Sequence, residues 1–189
     1  IILNWIYYTK GRRGFEVLKV LLEKKLAPKV IVLEDEDKNF STLCRNNEIR
    51  VIICSTPKEE KHLNEIQNIA PELILGNGYS KIMPSKLLDI PRYGVINTHA
   101  GKLPQYRGAS PIPWQIINGE TEGAAYVLQM KKGIDDGPII SEQDYEILPE
   151  DNATDLTEKI IAIFSDMIPK ILIQFAQGNP PPQKPQNDD

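Results

Sequence analysis

Apolar positions along the first half of the chain switch repeatedly between strand-like and helix-like spacing. Residues 1–7 form an apolar run broken only by Asn4, dense enough in Ile and aromatic residues for a buried strand. Residues 11–14, with Gly11 and Gly14, read as a turn. Phe15, Leu18, Leu21 and Leu22 then recur at helical spacing. Residues 29–33 (KVIVL) predict a second strand, 37–46 a short helix and 51–54 a third strand. Thr56 or Pro57 opens another helix with Lys and Glu on its exposed face, and residues 73–75 predict a short strand. Strand and helix alternating at this rhythm predict βαβ units in a mainly parallel, Rossmann-like α/β sheet with helices on both faces.

After Gly94 the texture changes. Residues 95–98 predict a strand that runs into a polar, Pro- and Gly-rich segment, followed by a helix over 113–118. Residues 124–129 and 138–146 predict two more strands, added antiparallel at the C-terminal side. Asp151 or Asn152 caps a last helix whose apolar positions are Leu156, Ile160, Ile163, Phe164, Met167, Ile171 and Ile173, with Gly178 at its exit. One domain over residues 1–178 follows. The tail, 179–189, carries Pro180, Pro181, Pro182 and Pro185, and predicts an extended or disordered linker. No internal repeat is present. Ligands of an open α/β sheet bind at loops beyond strand ends. Segments 8–14, 76–83 and 97–108 fit that description, with 129–138 as a fourth.

Composition narrows the function classes. The 22 Lys and Arg against 26 Asp and Glu give a net charge of −4, which argues against gripping nucleic acid by bulk charge. No apolar run approaches the roughly 20 residues of a membrane span, and no signal peptide precedes the first apolar stretch. The first residue is Ile rather than Met, which fits a trimmed N-terminus or a fragment. Cys44 and Cys54 are too few for a disulfide framework and predict two reduced, buried thiols in a cytoplasmic protein.

Candidate chemistry is sparse. His62 sits among Lys58, Glu59, Glu60 and Lys61 and predicts a solvated surface histidine. His99 follows a predicted strand end, two residues after Asn97, and precedes a loop with Gly101, Pro104, Tyr106, Arg107 and Gly108. That pattern fits a site at the edge of a sheet, and equally a capping Asn with a hydrogen-bonded loop His. Asp135 and Asp136 alone read as an acidic turn. No metal-ligand spacing, phosphate-binding GxxxxGK motif, GxGxxG fingerprint or GxSxG elbow is present, so no metal is expected.

Two segments together carry a resemblance. The first is Asn97-Thr98-His99-Ala100-Gly101-Lys102-Leu103-Pro104-Gln105-Tyr106-Arg107-Gly108. The second is Asp135-Asp136-Gly137-Pro138-Ile139-Ile140. The match extends through Trp114, Asn118-Gly119-Glu120 and Gly123, and back through Gly78-Tyr79-Ser80-Lys81-Ile82-Met83-Pro84 and Tyr93-Gly94. In these residues the chain resembles the folate-dependent formyltransferases, whose members include glycinamide ribonucleotide, methionyl-tRNA and sugar N-formyltransferases and formyltetrahydrofolate hydrolase. Residues before about Pro71 share only the topology.

The resemblance implies formyl transfer from 10-formyltetrahydrofolate to an amine, with Asn97, His99 and Asp135 as the catalytic set. Asp135 takes the role rather than Asp136 because the family's acid stands two places before the Gly. It implies a pterin pocket lined by Lys81, Ile82, Met83, Met130 and Ile134. For Ile82, Met83 and Met130 ordinary core packing is the alternative. Tyr106 and Arg107 shape the site or meet the acceptor, or simply pack the loop. The first loop departs from the family's Gly-rich pattern: Lys10, Arg12 and Arg13 fit either a phosphate-bearing acceptor or a solvated basic turn. The implied acceptor is a small amine, first a nucleotide-linked amino sugar. The acidic charge and the Ala100-Gly101-Lys102 variation lean away from the tRNA enzyme, which also needs a basic C-terminal domain beyond the tail. A tRNA partner, a hydrolase, a non-catalytic folate- or nucleotide-binding module and a homo-oligomer remain alternatives; no membrane partner is expected.

Overall fold

The computed structural model describes residues 2–186. Ile1, and Asn187, Asp188 and Asp189 of the predicted tail, lie outside the described residues. One seven-stranded sheet organises the chain in the order β3-β2-β1-β4-β5-β6-β7. Strands β1 (Trp5–Thr9), β2 (Val30–Leu33), β3 (Arg50–Ile53), β4 (Leu73–Asn77) and β5 (Val95–Ala100) are parallel. Strand β6 (Glu122–Gln129) is added antiparallel to β5, and β7 (Ile139–Glu146) antiparallel to β6. Strand order reverses between β1 and β4, so the loops leaving these two strands run to opposite faces and open a crevice between them.

Side-chain alternation assigns the two faces. Trp5, Tyr7, Ile96 and Ala100 pack with α1 (Gly11–Glu23), α2 (Lys38–Asn46), α5 (Pro111–Ile117) and α6 (Ala153–Ala176). Ile6, Tyr8, Ile74 and Val95 pack with α3 (Glu60–Ile69) and α4 (Ser85–Leu88). Covered on both faces, β1, β2 and β4 are buried at every residue, as parallel strands with helical layers require. The period of two puts Asn97 and His99 together on the second face, away from Ile96 and Ala100.

Some expectations need correction. Residues 11–14 are the first turn of α1 rather than a separate turn; Gly11 takes a φ of +67°, and the chain enters the helix directly from Lys10. Helix α3 starts at Glu60 rather than near Thr56, whose hydroxyl instead donates to Glu59 at 2.6 Å. The single-turn α4, opened by Pro84, was too short to show a period. Of the two caps expected for α6, Asn152 takes the role, as expected, through a reciprocal box with Asp155. Ile173 is 43% exposed, because it lies about 200° around the helix from the buried Ile171.

The tail is extended, as its prolines require, but residues 183–186 are hydrogen-bonded to the body of the protein. Ile139 and Lys184 exchange two backbone hydrogen bonds, of 2.7 and 2.8 Å, and Gln183 donates to the Gln129 side chain at 3.1 Å. Strand β7 is the sheet edge, and its open backbone groups are what the tail satisfies. Among the described residues no helix is long and apolar enough to cross a membrane.

His62 is not a surface residue. It lies on the buried stripe of α3 with Leu63 and Ile66, and its Nε2 is 2.7 Å from the Tyr8 hydroxyl. Burial pushes its pKa below the ordinary value, with Glu65 and Glu59 opposing the shift. Both states are neutral above the unfolded value of about 6.5. Below it the unfolded chain binds a proton that folded His62 resists, so stability is lost as pH falls. The fall in urea midpoint between pH 7.5 and 5.5 is expected to shrink in His62→Gln; an equal fall in both proteins would contradict this account.

Candidate active site

His99 is the next-to-last residue of β5 and is 5% exposed. Its Nε2 lies 2.6 Å from the Tyr106 carbonyl, which only accepts, so Nε2 carries a proton. Its Nδ1 lies 3.3 Å from Asp135 Oδ2. The ring is therefore held by the loop after β5 on one side and faces a carboxylate on the other. Burial pushes its pKa below the ordinary value; Asp135 and the Tyr106 carbonyl work against that shift, and the Arg13 guanidinium adds to it. The balance of these influences favours the neutral ring, with its Nδ1 turned to the carboxylate that would stabilise a second proton.

Asp135 arrives by a long route. β6 runs antiparallel, so Gln129 pairs beside Ile96, at the far end of β5 from His99. The 130–138 loop must turn back along β5 to bring the carboxylate to the imidazole. Asp135 has a φ of +49°, and its Oδ2 also accepts from the Gly108 amide at 3.0 Å. Asp136 turns the other way, folding over Gly133, where an added Cβ would fall 1.9 Å from its Oδ2. Of the two adjacent acids, the geometry brings only Asp135 to His99.

Asn97 points to the same face of β5 as His99, about 7 Å along the strand. Gly76 on β4 pairs with it, and a Cβ there would lie 2.7 Å from Asn97 Oδ1. Gly76 thus makes room for the Asn97 amide, a role the sequence reading missed although a glycine inside a strand is a sign of close approach. On the opposite face a second polar group also went unread. Thr98 donates to Asn77 Oδ1 at 2.9 Å, Asn77 donates to the Tyr7 hydroxyl at 2.7 Å, and that hydroxyl donates to the Gly14 carbonyl at 3.2 Å. This chain ties the ends of β1, β4 and β5 to the start of α1.

The structure separates the three cations of the first loop. Lys10 donates to Glu34 at 2.9 Å and to the Ser80 hydroxyl at 3.1 Å. Glu34 is 2% exposed; burial acts to raise its pKa, but the Ser80 amide and Lys10 outweigh it and hold the carboxyl below its usual range. Arg12 pairs with Glu158 at 2.5 Å on the surface. Arg13 forms no ion pair among the described residues, and its guanidinium stacks 5.7 Å from the centroid of the Phe164 ring. A cleft of about 260 Å³ opens beside this loop, lined by Lys10, Gly11, Glu34, Asp35, Asp37 and Phe40 among others.

The residues implied for a pterin divide. Ile82 and Ile134 are 83% and 65% exposed, large apolar side chains standing in solvent on two separate loops. Met130 is half-buried at the rim of the second face, and Lys81 stands 3.8 Å from Glu34. Met83 is buried in the core with Leu87 and Val95, as the packing alternative expects, and is only 6% exposed. Tyr106 donates its hydroxyl to Glu120 at 2.5 Å, and Arg107 bonds Gln186 through two nitrogens. Both are engaged within the protein. Among the described residues no group of three or more His, Cys, Asp or Glu is placed to hold a metal.

Similarity to known proteins bears on this geometry. A family model described as formyl transferase matches residues 17–172. The methionyl-tRNA formyltransferase of Thermodesulfovibrio yellowstonii is 36% identical over 128 residues, covering 67% of this chain and 42% of that protein. The matched stretch thus spans less than half the length of that relative. Glycinamide ribonucleotide transformylase 1 from Symbiobacterium toebii superposes with a TM-score of 0.81 at 18% identity, covering 94% of this chain and 89% of that one. WlaRD, a sugar 3N-formyl transferase solved with dTDP and 5-N-formyl-THF, gives a TM-score of 0.78 at 17% identity over 100% and 68% of the two chains. These two likenesses establish the shared fold.

Proposed function

The chain belongs to the formyl transferase family, and from that premise we propose that it moves a formyl group from 10-formyltetrahydrofolate onto the amine of a small acceptor. The observation that carries this reading is the buried His99, held at Nε2 by the Tyr106 carbonyl and faced at Nδ1 by Asp135, on one strand face with Asn97. Formyl transfer demands two things of a protein: donors where the formyl oxygen gains negative charge, and a path for a proton from one nitrogen to another.

The donor set suits a folate. The exposed Ile82 and Ile134 and the half-buried Met130 offer apolar surface for a flat heteroaromatic ring, and Lys81 offers a cation beside them. When bound, 10-formyltetrahydrofolate supplies the formyl carbon: its bond to N10 breaks as the bond to the amine nitrogen forms, and the proton leaving the amine ends on N10. In the protein's part of this chemistry, the Asn97 amide donates to the charged oxygen, with Gly76 leaving it room to do so. His99 takes the amine proton at Nδ1, Asp135 stabilises the imidazolium, and Nδ1 returns the proton.

For the acceptor we take a nucleotide-linked amino sugar. The net charge of −4 and the acidic lining of the cleft beside α1 suit a compact ligand better than a polyanion. With Lys10 and Arg12 each paired to a carboxylate, Arg13 is the first-loop cation left to meet an anionic group of that acceptor. A second reading, methionyl-tRNA as acceptor, is favoured by the sequence relative at 36% identity. The test is tetrahydrofolate release from 10-formyltetrahydrofolate, followed by absorbance, with nucleotide-linked amino sugars, with methionyl-tRNA and without amine. Release dependent on an amino sugar supports the first reading, and release dependent on the tRNA supports the second. Release indifferent to amines makes the protein a hydrolase, and folate binding without release makes it a binding module.

A further inference from the structure

Two loops bring Asp135 to His99, residues 101–110 after β5 and residues 130–138 between β6 and β7. Beyond the backbone bonds of Met130 to Val95 and of Gln129 to Pro138 at the base of the second, neither is held by the sheet, and Asp135 sits in the left-handed region, a conformation that persists only when its surroundings impose it. The Asp135 carboxylate joins the two loops through the Gly108 amide at 3.0 Å, and a second side chain that joins them comes from the far end of the chain. Gln186 donates through Nε2 to the carbonyls of Asp135, at 2.7 Å, and Gly137, at 2.8 Å. Its Oε1 accepts from Arg107 Nε at 3.0 Å and Nη2 at 2.7 Å. A primary amide has two donor hydrogens and an acceptor with two lone pairs, and all four are used here. The register is set upstream, where Lys184 is bridged to Ile139 and Gln183 bonds Gln129.

We infer that Gln186 is a positioning residue, which clamps the Asp135 turn to the loop that bonds His99 and so sets the distance between acid and imidazole. The inference rests on the formyl-transfer reading for its rate consequence but not for its structural one. His99 is faced by Asp135 from the acid loop, by the Tyr106 carbonyl from its own loop and by Arg13 from α1. Of these, Asp135 and the Tyr106 carbonyl favour the protonated ring and Arg13 opposes it. Letting the acid drift away therefore moves His99 titration to lower pH.

The test uses the full chain with Gln186→Ala and Gln186→Met, the second keeping the length of the side chain without its amide. His99 is one of only two histidines, so its ring signals are readily followed by NMR across pH. Both variants are expected to titrate His99 at lower pH than the parent and to lose roughly tenfold in kcat, with KM for the folate little changed, because misplacement by a fraction of an ångström is costly at a reacting centre. Gln186→Glu, which keeps the acceptor for Arg107 but presents carboxylate oxygens to two carbonyls, should not rescue. Lys184→Ala, which removes only a side-chain pairing with Glu142 at 3.5 Å, should match the parent. Unchanged His99 titration in both Gln186 variants overturns the inference, whatever happens to turnover. If the parent itself turns over no folate, the formyl-transfer reading fails while the titration still decides the clamp.

Discussion

His99→Ala is expected to lower kcat for folate-dependent formyl transfer by about a thousandfold or more while leaving a folded protein. The size follows from what one ring does in this geometry. A positioned general base contributes on the order of 10²–10⁴ in rate, and no other imidazole is available, since His62 is buried on α3 against Tyr8. The fold should survive. The substitution leaves the Tyr106 carbonyl without its 2.6 Å partner and opens a small cavity at a strand end. Such losses cost about 1–3 kcal/mol against a usual total of 5–15. Circular dichroism and a thermal melt establish folding, and single-turnover kinetics read the rate. A folded variant with turnover within about threefold of the parent would remove His99 from the chemistry.

Much of the fold was readable because the parallel strands are short apolar runs and the helices between them repeat at 3.6. What escaped did so for physical reasons. The single-turn α4 has too few residues to show a period. His62 reads as exposed because its sequence neighbours are charged, whereas exposure on a helix is decided by residues three and four away, and Ile66 stands there. The tail reads as free chain by composition, but an edge strand with unpaired backbone groups gives it a partner that composition cannot show.

The site was legible in unequal parts. Asn97 and His99 share a strand face by the period of two alone. The meeting of His99 with Asp135, by contrast, depends on a loop that doubles back along β5, and Gln186 enters from a different region of sequence altogether. The first-loop cations illustrate the same limit. Lys10, Arg12 and Arg13 are equivalent as text, and only the positions of Glu34 on β2's exit and Glu158 on α6 tell them apart. Charge neutralisation is a property of three-dimensional neighbours, so a basic run in sequence overstates the cation available to a ligand.

Asp135→Asn is expected to cut kcat by roughly a hundredfold or more, and to move the acid limb of kcat/KM to lower pH. The substitution is well suited to isolating the charge. Asn has the same shape, tolerates the left-handed backbone that Asp135 adopts at a φ of +49°, and can still accept from the Gly108 amide through its carbonyl oxygen. What it cannot do is stabilise an imidazolium. Burial already pushes the His99 pKa below its ordinary value and the Asp135 carboxylate pulls it back, so removing the carboxylate lowers it further. Neutral His99 then persists to lower pH, which extends the acid side of the profile. Its conjugate acid, formed when the amine proton reaches Nδ1, loses the counter-ion 3.3 Å away, which lowers the plateau. The two effects have opposite signs in rate at acid pH, and their joint appearance distinguishes an electrostatic role from simple damage to the loop. A variant with the parent's plateau and the parent's acid limb would show that Asp135 holds the loop in place and does not act on His99 through its charge.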